Sequence, residues 1–469
     1  MIKEYCGIFG IWNHNEAANL AYLGLYSLQH RGQETAGICS TDGERMFLFS
    51  DQGLVADVFR REQIAGLTGR SAIGHVRYST TGSSASRNAQ PILAKYWGGS
   101  LALAHNGNLT NADALKGRLE KQGAIFHTTM DSEILLHLIA RSEEHDFLEA
   151  TKNALRALEG SYSFVILRPD CLVAIKDRRG FRPLCLGRMD DSVVVASESC
   201  AFDIIGAEMV RELEAGEMVV ITKDGVRSEF PMPRITPTLC IFEYIYFARP
   251  DSVISGRSVY ETRKRLGRQL AIEHPIPADM VVPVPDSSNP AALGYSQQTG
   301  IPYEIGLIRS HYVGRTFIEP RQSIRDFGAK IKYNPLQQSL VGKRLVVVDD
   351  SIVRGTTAQK IVKMLRAARA SEIHYRVSCP PWKNPCYYGI DTPSREELLA
   401  SSRDLETMRV HIGADTLAFL SIEGLAQVFD HQNGFCHACF DGNYPGGRPR
   451  EHFKEILEAP NVLVTSSHR

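Results

Sequence analysis

The chain has 469 residues, and 53 Lys and Arg balance 53 Asp and Glu, so its formal net charge is zero. That length suits two domains with sizeable cores, and the balanced charge removes any electrostatic argument for nucleic acid or an anionic membrane surface. No apolar run is long enough to span a bilayer, MIKEY lacks the apolar stretch of a signal peptide, and ten cysteines are too sparse for a disulfide scaffold; a cytoplasmic protein with reduced thiols is expected.

The chain opens MIKEYCGIFG, with Cys6 at the start of a short buried strand. A cysteine here is core filler on one reading. On the other, residues 1–5 are a propeptide, and its removal leaves Cys6 with a free amine of pKa about 8 that serves as the base for its own thiol. Strand candidates follow at RMFLFS, SLALAHNG, SYSFVILR, CLVAIKD, SVVVASES and GEMVVITKDG. DALKGRLEKQ, SEILLHLIARS and FLEATKNALRAL carry apolar residues at helical spacing between them. Packed sheets with helices outside, an α+β layering, are expected. Pro231, Pro233 and Pro237 then break the pattern, which places a domain boundary near residue 232. Beyond it the rhythm becomes strand, loop, helix, in ADMVVPVPDSS with AALGYSQQTG and again in KRLVVVDDSIVRGTTAQKIVKMLRAAR. An unbroken Leu345–Val348 run suits a strand buried on both faces, and the alternation argues for a doubly wound α/β domain.

VVVDDSIVRGTT, residues 346–357, is the strongest single signal. Ligands of open α/β sheets bind beyond the carboxyl ends of the strands, and Asp349 and Asp350 stand at such an end. Arg354, Gly355, Thr356 and Thr357 lead into a helix whose first amides are unpaired, so backbone N–H groups, hydroxyls and the helix dipole make an anion cradle. The two acids suit the vicinal hydroxyls of a ribose, with a hard cation such as Mg²⁺ bridging pyrophosphate oxygens. The competing reading, a strand-ending turn followed by a helix cap, does not explain the whole string.

These residues resemble the signature of type I phosphoribosyltransferases, and Cys6 with its surroundings resembles the class II glutaminase domain. The two in this order resemble the iron–sulfur branch of the amidophosphoribosyltransferase family. The resemblance implies a propeptide at 1–5, a four-layer αββα glutaminase domain of the Ntn-hydrolase type at 6–232, and a phosphoribosyltransferase domain with a cluster-binding tail at 233–469. It implies ammonia released from glutamine and passed to phosphoribosyl pyrophosphate (PRPP), giving 5-phosphoribosylamine, pyrophosphate and glutamate at the first committed step of purine synthesis. Cys6 is then the nucleophile, and Asn106 with Gly107 of HNGNL the oxyanion donors. Arg77 of GHVRYSTTG grips the glutamine carboxylate, Asp131 of TMDSE faces its ammonium, and Arg31 of LQHRGQETAG joins the glutamine site. His30, His75 and His105 are read as hydrogen-bonded structural residues, because the amine already supplies the base.

In the transferase half the resemblance assigns Ser287, Asp349 and Asp350 to Mg²⁺. Ser351, Arg354, Gly355, Thr356 and Thr357, with Arg315, Lys330 and Lys332 from a loop over residues 311–335, are assigned to PRPP. Tyr244, Tyr246 and Phe247 fit either core or an ammonia passage, with core preferred. Cys240, Cys386, Cys436 and Cys439 stand in the contexts that hold a [4Fe–4S] cluster in that branch; four thiolates by themselves suit Zn²⁺ as well. Purine nucleotides as feedback inhibitors and a dimer or tetramer are further implications. A glutaminase paired with another acceptor, and a nucleotide sensor without turnover, are the competing readings.

Overall fold

The computed structural model describes residues 6–78, 86–310, 333–392, 394–448 and 457. Among the described residues, thirteen strands build its first half: β1 (Gly7–Trp12), β2 (Thr35–Thr41), β3 (Met46–Gln52), β4 (Ser71–Arg77), β5 (Ile92–Tyr96), β6 (Gly99–Leu109), β7 (Gly160–Leu167), β8 (Leu172–Lys176), β9 (Cys185–Met189), β10 (Ser192–Ala196), β11 (Glu208–Glu212), β12 (Met218–Thr222) and β13 (Gly225–Glu229). They form a seven-stranded sheet in the order β11-β9-β10-β1-β4-β2-β3 and a six-stranded sheet in the order β13-β12-β8-β7-β6-β5. Neighbours within both sheets are antiparallel.

The central strands of each sheet are buried on both faces, for a reason visible in the residue alternation. On β7, Tyr162, Phe164 and Ile166 point to the helices Ala112–Lys121, Glu133–Ala140 and Phe147–Arg156, and share their core. The intervening Val165 and Leu167 point the other way, into a layer with Ile8, Ile73, Ala102 and Ala104 that joins the two sheets. Across the first sheet, Phe9, Ile11, Ala36 and Ile38 meet helices Ala17–Ser27 and Cys200–Ile205. The result is helix, sheet, sheet, helix: the four-layer αββα arrangement expected. The core under the second sheet also takes in Met232 and Leu457, so the tail returns to the first half at that described residue.

The second half has a parallel sheet of Met280–Pro283, Arg344–Asp349, Glu372–Val377 and Thr416–Phe419, adjacent in that order. A parallel bridge joins Val281 to Tyr303. Val281 also pairs with Val346, so residue 303 lies on its far side. Strand order therefore reverses beside Met280–Pro283, the topological switch point at which doubly wound sheets bind ligands. Tyr244 and Phe247 are buried in the second core, in one π-helical turn, Glu243–Phe247, and the Tyr244 hydroxyl donates to the Ile254 carbonyl.

A buried ion network joins the halves. The Arg31 guanidinium is paired with both Glu198 and Glu243, all three without side-chain exposure. Arg182 reaches Glu243 at 3.3 Å and donates to the Tyr388 carbonyl at 2.7 Å. Glu198 also accepts from Ser252 at 2.6 Å and from the Arg249 amide at 2.9 Å. Burial alone would raise the Glu198 carboxyl, but Arg31 and His30 hold it far below the ordinary range.

Candidate active sites in the two halves

At one end of the space between the two sheets the inward-facing residues change from apolar to polar. Alternation along β1, β4, β2, β6 and β7 carries Ile8, Ile73, Cys39, Ala104 and Val165 into the apolar layer. The same alternation sets Cys6, His75 with Arg77, Thr35, Asn106 and Ser163 on the same faces further along. Cys6 is buried and its Sγ donates to the Tyr78 carbonyl at 3.5 Å. Burial pushes its thiol up to about 11, while the Tyr78 backbone and the Arg77 charge pull the other way. In the chain that retains residues 1–5, Cys6 is thus a neutral thiol at physiological pH. A neutral amine created beside it would accept that proton, and the ammonium so formed would favour the thiolate.

Asn106 is completely buried, and neither its Oδ1 nor its Nδ2 has a hydrogen-bond partner among the described residues. A buried amide left unpaired costs roughly 1–3 kcal/mol for each unsatisfied group, so a ligand or ordered water that pairs with it is favoured there. Gly107 beside it has φ 151°, and a Cβ there would stand 2.1 Å from the Ser161 carbonyl oxygen. No other residue fits. Asp131 accepts from the Leu109 amide at 2.7 Å and lies 3.4 Å from His105 Nδ1. Burial opposes its charge, but His105 and the Leu109 and Ser132 amides hold its carboxyl below the ordinary value.

The three histidines have structural partners, as read from the sequence. His30 Nε2 is 2.7 Å from Glu198, and His75 Nε2 is 2.9 Å from the His105 carbonyl. Burial drives the His75 ring down to about 3, so it is neutral. Arg31, placed by the sequence in the glutamine site, is held by a different set of groups: its guanidinium pairs with Glu198 and Glu243 in the fully buried network. Arg77 remains the cation of the thiol site, with Cys6, Glu34 and Asp131 as its electrostatic neighbours.

In the second half, Asp349 ends its strand and Asp350 follows it, both buried. Asp349 accepts from the Tyr375 hydroxyl at 2.6 Å and from the Asp350 amide at 2.9 Å. Asp350 accepts from Ser287 at 2.5 Å and Ser351 at 2.6 Å. Burial raises both carboxyls, and for Asp349 the neighbouring Asp350 charge adds to it. Two adjacent buried acids under that strain are what a hard divalent cation relieves, so Ser287, Asp349 and Asp350 fit Mg²⁺.

Gly355, with φ 77°, precedes helix Thr356–Ala367, where Thr356 and Thr357 lie in the first turn with no side-chain cap on its amides. Arg354 is turned away to Glu397 at 2.8 Å, so it does not converge with the acids. Arg315, Lys330 and Lys332 lie outside the described residues.

The four cysteines assigned to a cluster share one buried lobe. Cys240 and Cys436 are partners on two short parallel strands, and Cys439 lies in the helix Ala438–Asp441. Cys386 Sγ accepts from the Tyr388 amide at 3.4 Å. Burial raises the Cys439 thiol, and charge on Cys240, Cys436 and Cys386 raises it further. Arg182 acts oppositely on Cys240 and Cys436. Among the described residues no three His, Cys, Asp or Glu side chains are grouped closely enough to hold a metal ion.

Comparison with known proteins follows the same division. Residues 75–203 match the glutamine amidotransferase domain family. The amidophosphoribosyltransferase of Bacillus subtilis (strain 168) is 51% identical over 450 residues, covering 95% of this chain and 94% of that one. The chain belongs to the amidophosphoribosyltransferase family. The solved B. subtilis glutamine PRPP amidotransferase, complexed with ADP and GMP, superposes with TM-score 0.92 at 49% identity, over 97% of this chain and all of that one. A structure described as the allosteric regulatory enzyme of purine biosynthesis superposes with TM-score 0.93 at 50% identity, over 97% of this chain and 99% of that one. The two-domain fold of this family, a glutaminase joined to a phosphoribosyltransferase, is the architecture described above.

Sequence reasoning passed over Ser161, Ser163 and Thr35, whose buried hydroxyls have no partner among the described residues, and Tyr375, which holds Asp349. The serines had a signal: in SYSFVIL they fall on the inward-facing positions that the alternation reserves for apolar residues.

Proposed function

We infer that this amidophosphoribosyltransferase converts glutamine, PRPP and water to 5-phosphoribosylamine, pyrophosphate and glutamate, opening purine synthesis. The observation that carries the residue-level reading is the buried Asn106 amide with both polar atoms unpartnered beside a buried thiol. After loss of residues 1–5, the Cys6 amine takes the thiol proton and Sγ attacks the glutamine side-chain carbonyl. The oxyanion is received by the Asn106 amide and the Gly107 N–H, while Arg77 and Asp131 hold the glutamine carboxylate and ammonium. The amine returns its proton to the leaving ammonia, and water then cleaves the thioester. Ammonia is passed inside the protein to the PRPP carbon, so the leaving pyrophosphate is displaced by nitrogen rather than water.

Ser287, Asp349 and Asp350 are the residues to hold Mg²⁺, which when bound neutralises pyrophosphate charge. Gly355 to Thr357 receive the 5-phosphate, with Ser351 beside them. Arg354 contributes on exchanging Glu397 for phosphate, and Arg315, Lys330 and Lys332 are further candidate contacts. Cys240, Cys386, Cys436 and Cys439 are proposed to hold a [4Fe–4S] cluster in a structural role. Purine nucleotides are proposed as feedback inhibitors, acting on a homo-oligomer. No described helix is long and apolar enough to cross a membrane, and a cytoplasmic site is proposed.

Intact mass of anaerobically purified protein tests the nucleophile. A species lacking MIKEY supports the amine-activated Cys6; a mass retaining all five residues in protein that turns over glutamine overturns it. Iron and acid-labile sulfide on the same sample separate a cluster from zinc.

A further inference from the structure

The oxyanion role given to Asn106 places a demand on its amide that the family-level reading leaves unmet. The Nδ2 must face the developing negative charge, yet an amide turned the other way presents Oδ1 and repels it. Something has to distinguish the two faces. Backbone groups of β6 are occupied in its ladder to β7, where Asn106 stands directly opposite Ser163. Both side chains lie on the inward face, where directly opposite Cβ atoms are about 4.5–5.5 Å apart. Ser163 is fully buried, and its Oγ, like both polar atoms of Asn106, has no hydrogen-bond partner among the described residues. The structure thus sets an unused donor across from an unused acceptor, in a layer that is otherwise apolar beyond Val165 and Ala104.

We propose that Ser163 is a positioning residue for glutamine hydrolysis: its hydroxyl donates to Asn106 Oδ1 when glutamine binds and so fixes Nδ2 toward the oxyanion. This rests on the assignment of Asn106 above. The hydroxyl touches no reacting atom. Its contribution is made through the amide, so it belongs to kcat rather than to glutamine affinity.

The test is a double-mutant cycle on the full-length enzyme, measuring glutamine-supported and ammonia-supported phosphoribosylamine formation. S163A is expected to lower kcat with glutamine ~10-fold and change KM for glutamine less than about twofold. S163T, which keeps the hydroxyl on a residue suited to a strand, is expected to restore most of the rate. On the N106A background S163A is expected to add nothing, because the group it positions is gone. Ammonia-supported turnover in the same preparations reports the folding of the chain. A normal glutamine kcat in folded S163A overturns the proposal, and so does an undiminished loss on top of N106A. If N106A itself keeps full glutamine turnover, the oxyanion assignment fails and the positioning role fails with it; an N106A loss without an S163A loss refutes only the role of Ser163.

Discussion

The two sites of this chain are built from opposite materials. The thiol site gathers neutral donors and acceptors left without partners, including both atoms of Asn106 and the hydroxyls of Thr35, Ser161 and Ser163. The acidic site of the second half gathers two carboxylates and supplies them with donors from Tyr375, Ser287 and Ser351. A transient oxyanion is best met by dipoles unspent on other partners and set in place by the time the reaction begins. A pyrophosphate arrives with standing charge, and acids held in place by hydrogen bonds suit a cation that must come and go with it. Unsatisfied polarity and crowded charge are thus two distinct ways of storing affinity for a ligand.

Breaking one site while sparing the other is the direct test of this contrast. The largest effect belongs to C6A, expected to remove glutamine-supported turnover by ~10⁴-fold or more while ammonia-supported turnover persists, measured by phosphoribosylamine formation with each nitrogen source. D350N is expected to lower both activities together by ~10²–10³-fold, and chelation of divalent cations to do the same, because the shared acceptor chemistry is lost.

Arg77 and Arg31 sharpen the comparison within one half. R77A should raise KM for glutamine ~10²-fold. R31M should instead lower stability by ~3–5 kcal/mol in chemical denaturation, because it leaves Glu198 and Glu243 buried without their shared cation. The R31M prediction fails if that variant shifts KM and leaves stability unchanged, and the R77A prediction fails if KM for glutamine is unaltered.

The smallest effect concerns pH. His75 has its pKa lowered to about 3 from the ordinary 6.5, so it contributes stability that is fully present above 6.5 and is lost as pH falls toward 3. H75Q is expected to flatten the acid limb of the stability curve in that window by about 1 kcal/mol or more, read from denaturation midpoints at pH 4 and pH 7.

Much of this architecture is legible in the sequence. In VVVDDSIVRGTT the strand, acids, glycine and helix start follow in chain order, so a local string specified a local site. Strands such as CLVAIKD and SVVVASES declare themselves by apolar runs and turn residues, and they appear as β8 and β10. The glutaminase layer was harder, because its members come from five strands and meet only after two sheets stack. Arg31 shows the limit most clearly: a motif locates a guanidinium, but the carboxylates that claim it come from Glu198 and Glu243, 167 and 212 residues away. Sequence distance conceals such commitments, and a shorter separation was enough to hide Ser163 opposite Asn106.

The Arg31–Glu243–Arg182 connection carries a consequence for anyone wishing to take the protein apart. A gene cut near codon 232 would leave Arg31 and Arg182 in one fragment and Glu243 in the other, each with a buried charge deprived of its counterpart. Neither fragment would be a free-standing module. Heat or denaturant should therefore melt the chain as one cooperative unit, with glutaminase and transferase activities lost at a common midpoint.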